Sequence, residues 1–212
     1  MAQKQLKSSK KRKPSSTAWL KRQLNDPYVR ATKNRRYRSR AAFKLLEMDA
    51  RHTFLGKARR IIDLGSAPGS WCQVVLEKCP GAQLAGIDLL PIEPLGDLTV
   101  IHGDFRDQDK QRLLITALSG PPCVILSDMA PNTIGHKQTD HLRSMALVEE
   151  AAAFACEHLK PEGSFITKIF SGGGEEEFVK ELRRVFSSVK YARPKASRQS
   201  SREIYIIAKG KT

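Results

Sequence analysis

Four aspartates stand at or just beyond the ends of successive apolar runs: Asp63 after Arg59 to Ile62, Asp88 in Gly-Ile-Asp, Asp104 in Gly-Asp-Phe, and Asp128 in Ser-Asp-Met. In an open α/β sheet, ligands sit outside the carboxyl ends of the strands, which is where these acids fall. A carboxylate accepts both hydroxyls of a ribose, which suits Asp88, and an adenine amino group donates to an acid such as Asp104. One such residue is as readily a helix cap or a turn former. Four in succession favour a nucleoside ligand.

The first of these strand ends carries the sharpest signal. Ile61 and Ile62 are strand formers, and Gly65, Ser66, Ala67, Pro68 and Gly69 then leave no bulky side chain before a helix. A ligand can approach that backbone closely. A dinucleotide fingerprint requires G-x-G-x-x-G, whereas the glycines here are spaced G-x-x-x-G, so a nicotinamide reading is disfavoured. The order of acid, small-residue turn and Trp71 resembles instead the S-adenosylmethionine loop of class I methyltransferases.

Strand-like runs at Arg59 to Leu64, Gln83 to Leu89, Leu98 to His102, Cys123 to Asp128, Gly163 to Phe170 and Arg202 to Ala208 must position these groups. Between them, Trp71 to Lys78, Gln111 to Leu118, His141 to Leu159 and Glu175 to Phe186 have helical spacing, and a further helix is expected from Ala41 to Met48. Such alternation predicts a parallel sheet covered by helices. Leu142, Met145 and Val148 mark an apolar face on the helix from His141. The run Gly172 to Gly174 reads as a hinge or a substrate-admitting loop before the acid-rich helix start at Glu175.

The net charge of +15 is concentrated at one end, because residues Met1 to Arg40 hold 14 Lys or Arg against the single acid Asp26. The block Lys10 to Lys13 cannot bury enough apolar surface to fold alone, so residues 1–29 are read as a basic flexible arm and 30–212 as one domain. Lys33, Arg35, Arg36, Arg38 and Arg40 lead directly into the Ala41 helix and are expected to meet phosphate. No run of about 18 apolar residues exists, and no apolar segment follows the N-terminal charges, so a membrane span or secretory leader is not expected. A cytoplasmic, monomeric protein is. Cys72, Cys79, Cys123 and Cys156 form no C-x-x-C pair and are expected to be reduced, mostly packed thiols. His136, Asp140 and His141 lack further ligand partners, and no metal is expected.

Longer stretches carry a fuller signature: Tyr37 to Leu45 (YRSRAAFKL), Asp63 to Trp71 (DLGSAPGSW), the GIDLLP and GDF turns, Leu126 to Asn132 (LSDMAPN), Gly163 to Phe170 (GSFITKIF) and Ser201 to Ala208 (SREIYIIA). Together they resemble the FtsJ-type ribosomal RNA 2'-O-ribose methyltransferases. The resemblance implies a Rossmann-like, doubly wound, mostly parallel sheet whose last strand is antiparallel. It implies S-adenosylmethionine as cofactor, with contacts at Gly69, Trp71, Asp88, Asp104 and Asp128. It implies a catalytic tetrad at Lys44, Asp128, Lys168 and Glu203, and as substrate a uridine ribose of the large ribosomal subunit or its rRNA.

A sulfonium methyl is already a strong electrophile, so alignment can supply much of the rate, about 7 to 11 kcal/mol in well-oriented systems. What remains is removal of the hydroxyl proton. Lys168 is the expected acceptor, with Lys44 and Glu203 orienting it and Asp128 beside the reacting groups. A lysine accepts a proton only when neutral; a second ammonium favours that form and carboxylates oppose it. A rival version keeps Lys168 protonated, to orient an oxygen lone pair. A non-catalytic ribosome assembly factor would have no need of Lys168 and Glu203, and a DNA base methyltransferase would show N-P-P-Y or D-P-P-Y where Asp128 to Pro131 stand.

Overall fold

The computed structural model describes residues 26–131 and 134–212. Two helices, α1 (Pro27–Arg35) and α2 (Ala41–His52), precede β1 (Arg60–Leu64), α3 (Ser70–Lys78), β2 (Gln83–Asp88), β3 (Leu98–His102), α4 (Gln108–Thr116) and β4 (Val124–Ser127). The chain continues through α5 (Lys137–His158), β5 (Ser164–Phe170), α6 (Glu175–Val185), β6 (Phe186–Ala192) and β7 (Glu203–Lys211). The seven strands form one sheet in the order β3-β2-β1-β4-β5-β7-β6. All neighbours from β3 to β5 are parallel, and β7 runs antiparallel to both β5 and β6. The doubly wound sheet with an antiparallel last strand is therefore as expected, and its switch point lies between β1 and β4.

Alternation along each strand divides the core in two. Ile62, Leu64, Ile87, Ile125, Phe165 and Ile206 pack under α4, α5 and α6, with Leu114, Val148 and Phe178. Ile61, Leu84, Val124, Leu126, Ile166 and Ile207 pack under α2 and α3, with Leu45, Met48, Trp71 and Val75. Both faces of the central strands are covered, which is why they read as continuous apolar runs rather than alternating ones.

Two elements escape the sequence pattern. Helix α1 starts at Pro27, with Asp26 as its N-cap accepting from Tyr28 N at 2.9 Å, so the arm boundary expected at residue 29 falls inside a helix. The Asp-Pro start was a usable signal. Strand β6 carries Ser187, Ser188 and Lys190 and, apart from Phe186, is half-exposed or exposed at the sheet edge, which is how edge strands resist further pairing and why it looks like a polar linker. Helices α4 and α5 begin earlier than their apolar spacing indicates, because Asp107 and His136 cap them. Leu142, expected on a packed face, is 68% exposed.

Candidate active site

Period-two alternation delivers the polar residues. On the face covered by α2 and α3, the apolar series Val124, Leu126 continues to Asp128, Ile166 continues to Lys168, and Ile207 continues to Tyr205 and Glu203. Antiparallel pairing of β5 with β7 sets Lys168 directly opposite Tyr205. Helix α2 then adds Lys44 from above.

The four expected catalytic residues meet as two ion pairs. Lys44 Nζ lies 2.8 Å from Glu203 Oε1, and Lys168 Nζ lies 3.0 Å from Asp128 Oδ1. Lys168 also donates to the Asp128 carbonyl oxygen at 2.6 Å. Lys44, Lys168 and Glu203 are each at most 9% exposed, so neither pair is a solvated surface contact. Burial opposes ionisation of Asp128, but Lys168, Lys44 and the Tyr205 hydroxyl outweigh it and hold this carboxyl below the usual carboxylate range.

Sequence reasoning overlooked the group that joins the pairs. Tyr205 Oη accepts from Lys44 at 3.1 Å and donates to Asp128 Oδ1 at 2.9 Å. Burial, reinforced by Asp128 and Glu203, pushes this phenol well above its ordinary pKa, so it remains a donor. Its position two residues from Glu203, on the same strand face, was the signal.

Beside this cluster lies a cavity of about 530 Å³, bounded by Gly65 and Ala67 after β1, Asp88 to Leu90 at the end of β2 and beyond it, Gly103 to Arg106 after β3 and Asp128 to Pro131 after β4. Arg143, Ala146, Leu147 and Glu150 close it from α5. Their spacing puts them on one helical face, a pattern that could have been read in the sequence. At Gly65, with φ of 77°, a Cβ would sit 2.7 Å from Met129, so the turn admits no side chain there.

The expected cofactor residues divide. Asp88, Asp104 and Asp128 line the cavity. Asp88 also accepts from Ala67 N and Leu90 N at 2.8 and 2.9 Å, holding the small-residue turn against β2. Asp104 is engaged by Arg106 at 2.6 Å, and the hydrogen bonds from Arg106 lower its pKa. Gly69 and Trp71 are not on the cavity wall. A Cβ at Gly69 would meet the Arg38 guanidinium, and Trp71 is 3% exposed with its indole N–H on Ala41 O at 2.8 Å. The indole thus fastens α3 to α2. Asp63 also faces inward, beneath the turn, where Cys72 Sγ donates to its Oδ2 at 3.1 Å. Burial raises its pKa to about 7.

The residues expected to meet phosphate differ in what they touch. Arg38 donates to the carbonyls of Pro68, Glu93 and Pro94 at 2.8 to 2.9 Å, tying the loop after β2 to the turn after β1. Arg40 pairs with Asp26 and donates to Ala196 O. Both guanidinium groups satisfy internal acceptors, whereas Arg35 and Arg36 are exposed. Lys33 belongs to α1. The block Lys10 to Lys13 lies outside the described residues.

His136, Asp140 and His141 are used locally: His136 bonds Thr139 Oγ1 at 2.9 Å, Asp140 accepts from Ile134 N and Gly135 N, and His141 contacts Gly173 O at 2.6 Å. Among the described residues, no group of three or more His, Cys, Asp or Glu is arranged to hold a metal ion, and no helix is long and apolar enough to cross a membrane. The four cysteines are free, with Cys72 and Cys79 buried.

A doubly wound sheet with an antiparallel last strand, an acid-lined cavity at its switch point and a lysine-rich cluster against the cavity wall describes a class I methyltransferase. Residues 37–211 match the model of the FtsJ-like methyltransferases, and the chain belongs to that family. Two curated relatives bear the name Ribosomal RNA large subunit methyltransferase E. That of Acidiphilium cryptum is 52% identical, over 97% of this chain and 91% of its own length. That of Zymomonas mobilis is 54% identical, over 96% and 92%. A crystal structure of a ribosomal RNA methyltransferase from Plasmodium falciparum superimposes with a TM-score of 0.72 at 33% identity, covering 82% of this chain and 98% of the other.

Proposed function

We propose that this protein transfers the methyl group of S-adenosylmethionine to the 2'-hydroxyl of a uridine ribose in the RNA of the large ribosomal subunit. The observation that carries the reading is the double position of Asp128: among the described tetrad residues it alone lines the cavity, and it also pairs with Lys168. Cofactor pocket and proton-handling cluster thus share a wall. The names of the relatives support ribosomal RNA as the substrate class.

The cavity's acceptor groups suit the cofactor. Asp88 is available to ribose hydroxyls and Asp104 to an exocyclic amine, while the carboxylates of Asp88, Asp104 and Asp128 favour a cationic ligand. Bound S-adenosylmethionine would supply an electrophilic methyl group. The remaining work belongs to the chain. Lys168, once it has released its own proton to solvent, accepts the hydroxyl proton at Nζ; Asp128 holds that nitrogen in place, and the Lys44–Glu203 pair, linked through Tyr205, fixes the register of the cluster.

The test is transfer of labelled methyl to undermethylated large subunits by the protein and by Lys168→Ala, with the label mapped within the nucleotide. Label on a ribose oxygen, reduced about a hundredfold or more in the variant while cofactor affinity persists, is the expected result. Tight cofactor binding without transfer to subunits or free RNA overturns the reading in favour of a binding factor. A log kcat that stays flat from about pH 6 to about pH 10 would overturn the role of Lys168 as base.

A further inference from the structure

Eight basic residues occupy two short segments flanking the polar cluster, and neither segment carries an acid: Arg30, Lys33, Arg35 and Arg36 in and just after α1, and Arg193, Lys195, Arg198 and Arg202 in the loop from β6 to β7. Arg30, Arg35, Arg36, Lys195 and Arg202 are exposed. The acids beside these segments serve to join them. Asp26, which caps α1, takes Arg40, and Arg40 also donates to Ala196 O in the loop. Glu47 accepts from Tyr28 Oη of α1 at 2.9 Å, and from Lys195 N and Ala196 N at 2.5 and 3.3 Å.

Arg40, Lys44 and Glu47 recur at i, i+4 and i+7, which places them on one stripe of α2. The stripe that brings Lys44 to Glu203 therefore also clamps the loop that runs directly into Glu203. At its far end the loop passes the tip of β5, where Ser171 N donates to Arg202 O at 3.0 Å. Arg193 fixes the loop's own path by donating to Gln199 O and Ser201 O at 3.3 and 2.7 Å.

We infer that α1 and the β6–β7 loop form one preorganised cationic platform that grips the phosphodiester backbone of RNA beside the Lys44–Glu203 edge of the site. This rests on the RNA reading above. A polyanion fits because the two segments carry eight basic residues and no acid, and phosphate contacts set register and orientation without reading sequence. Fixing the loop in advance lowers the ordering cost of binding. Of the five residues expected to meet phosphate, Lys33, Arg35 and Arg36 belong to the platform; Arg38 and Arg40 have internal acceptors, and the β6–β7 loop adds cations that the sequence reading did not single out.

The experiment measures methyl transfer to large subunits, cofactor affinity and the salt dependence of RNA binding for the double variant Lys195→Glu/Arg198→Glu. Arg184→Glu, an exposed charge reversal on α6, is the control. The double variant should raise KM for the subunit roughly tenfold or more and lower the salt slope by about 0.7 to 0.9 per lost phosphate contact. Cofactor affinity and kcat should hold, and Arg184→Glu should change neither KM nor slope. Glu47→Gln retains every cation but weakens the clamp, so it should raise KM with the salt slope intact. An unchanged KM in the double variant, or an equal rise in Arg184→Glu, overturns the platform. Absence of transfer by the unaltered protein overturns the functional reading itself, and the platform with it.

Discussion

Tyr205 gives its phenolic hydrogen to Asp128 at 2.9 Å while receiving one from Lys44 at 3.1 Å, so a single buried hydroxyl links the two ion pairs of the site. The phenol sits on the strand face that also carries Glu203, opposite Lys168. Its removal should disturb both lysines at once.

Tyr205→Phe keeps the ring packing and deletes that link. A hydrogen bond to a charged group contributes about 1.5 to 3 kcal/mol, which corresponds to a kcat lowered roughly tenfold to a hundredfold. Steady-state kinetics alongside cofactor titration checks this. Unaltered kcat would mean the phenol only fills space.

Asp63 is buried with Oδ1 unpartnered, and its pKa of about 7 lies well above the ordinary carboxyl value near 3.9. The folded state therefore holds a proton that the unfolded chain has released, and stability falls as pH rises from about 4 to 7. Asp63→Asn should abolish that slope. At pH 8 it should unfold at higher denaturant than the parent, by a difference on the order of 4 kcal/mol at most, with the two converging near pH 4. Parallel pH profiles would show that Asp63 ionises freely in the fold.

Trp71→Phe tests whether the indole serves the fold or the cofactor. It removes the indole hydrogen bond to Ala41 O and part of a buried side chain, and should cost about 1 to 3 kcal/mol of stability. Cofactor affinity should be retained. A large loss of cofactor binding in a fully stable variant would restore the indole to the pocket.

Arg38→Ala unties the loop after β2 from the small-residue turn. Leu89 and Leu90, between that loop and β2, line the cavity, so the cofactor Kd should rise roughly tenfold. KM for RNA should hold. The reverse split, with KM raised and Kd unchanged, would make Arg38 a phosphate contact after all.

How far the sequence reached depended on whether a residue's neighbours lay along the chain or across the sheet. The acids at strand ends, the Gly65 to Gly69 turn and the alternation of strand and helix are local patterns, and they predicted a parallel sheet covered by helices with a ligand site at its strand ends. Helix α1 and strand β6 were less legible, because one announces itself only by its Asp-Pro cap and the other is a polar edge. Arg38 and Arg40 show the limit most plainly. In a basic run they look alike and free, yet each finds internal acceptors from other segments: Pro68, Glu93 and Pro94 for Arg38, and nearby Asp26 with distant Ala196 for Arg40.

The sequence by itself determined the fold class and the strand ends that carry the acids, and its resemblance to a family singled out Lys44, Asp128, Lys168 and Glu203. Only the tertiary structure decided how those four pair, that Tyr205 joins them, and which arginines face solvent. The reason is physical: periodicity fixes which face of its own element a side chain occupies. Which partner it meets there depends on the register of β5 against β7 and on where α2 crosses them.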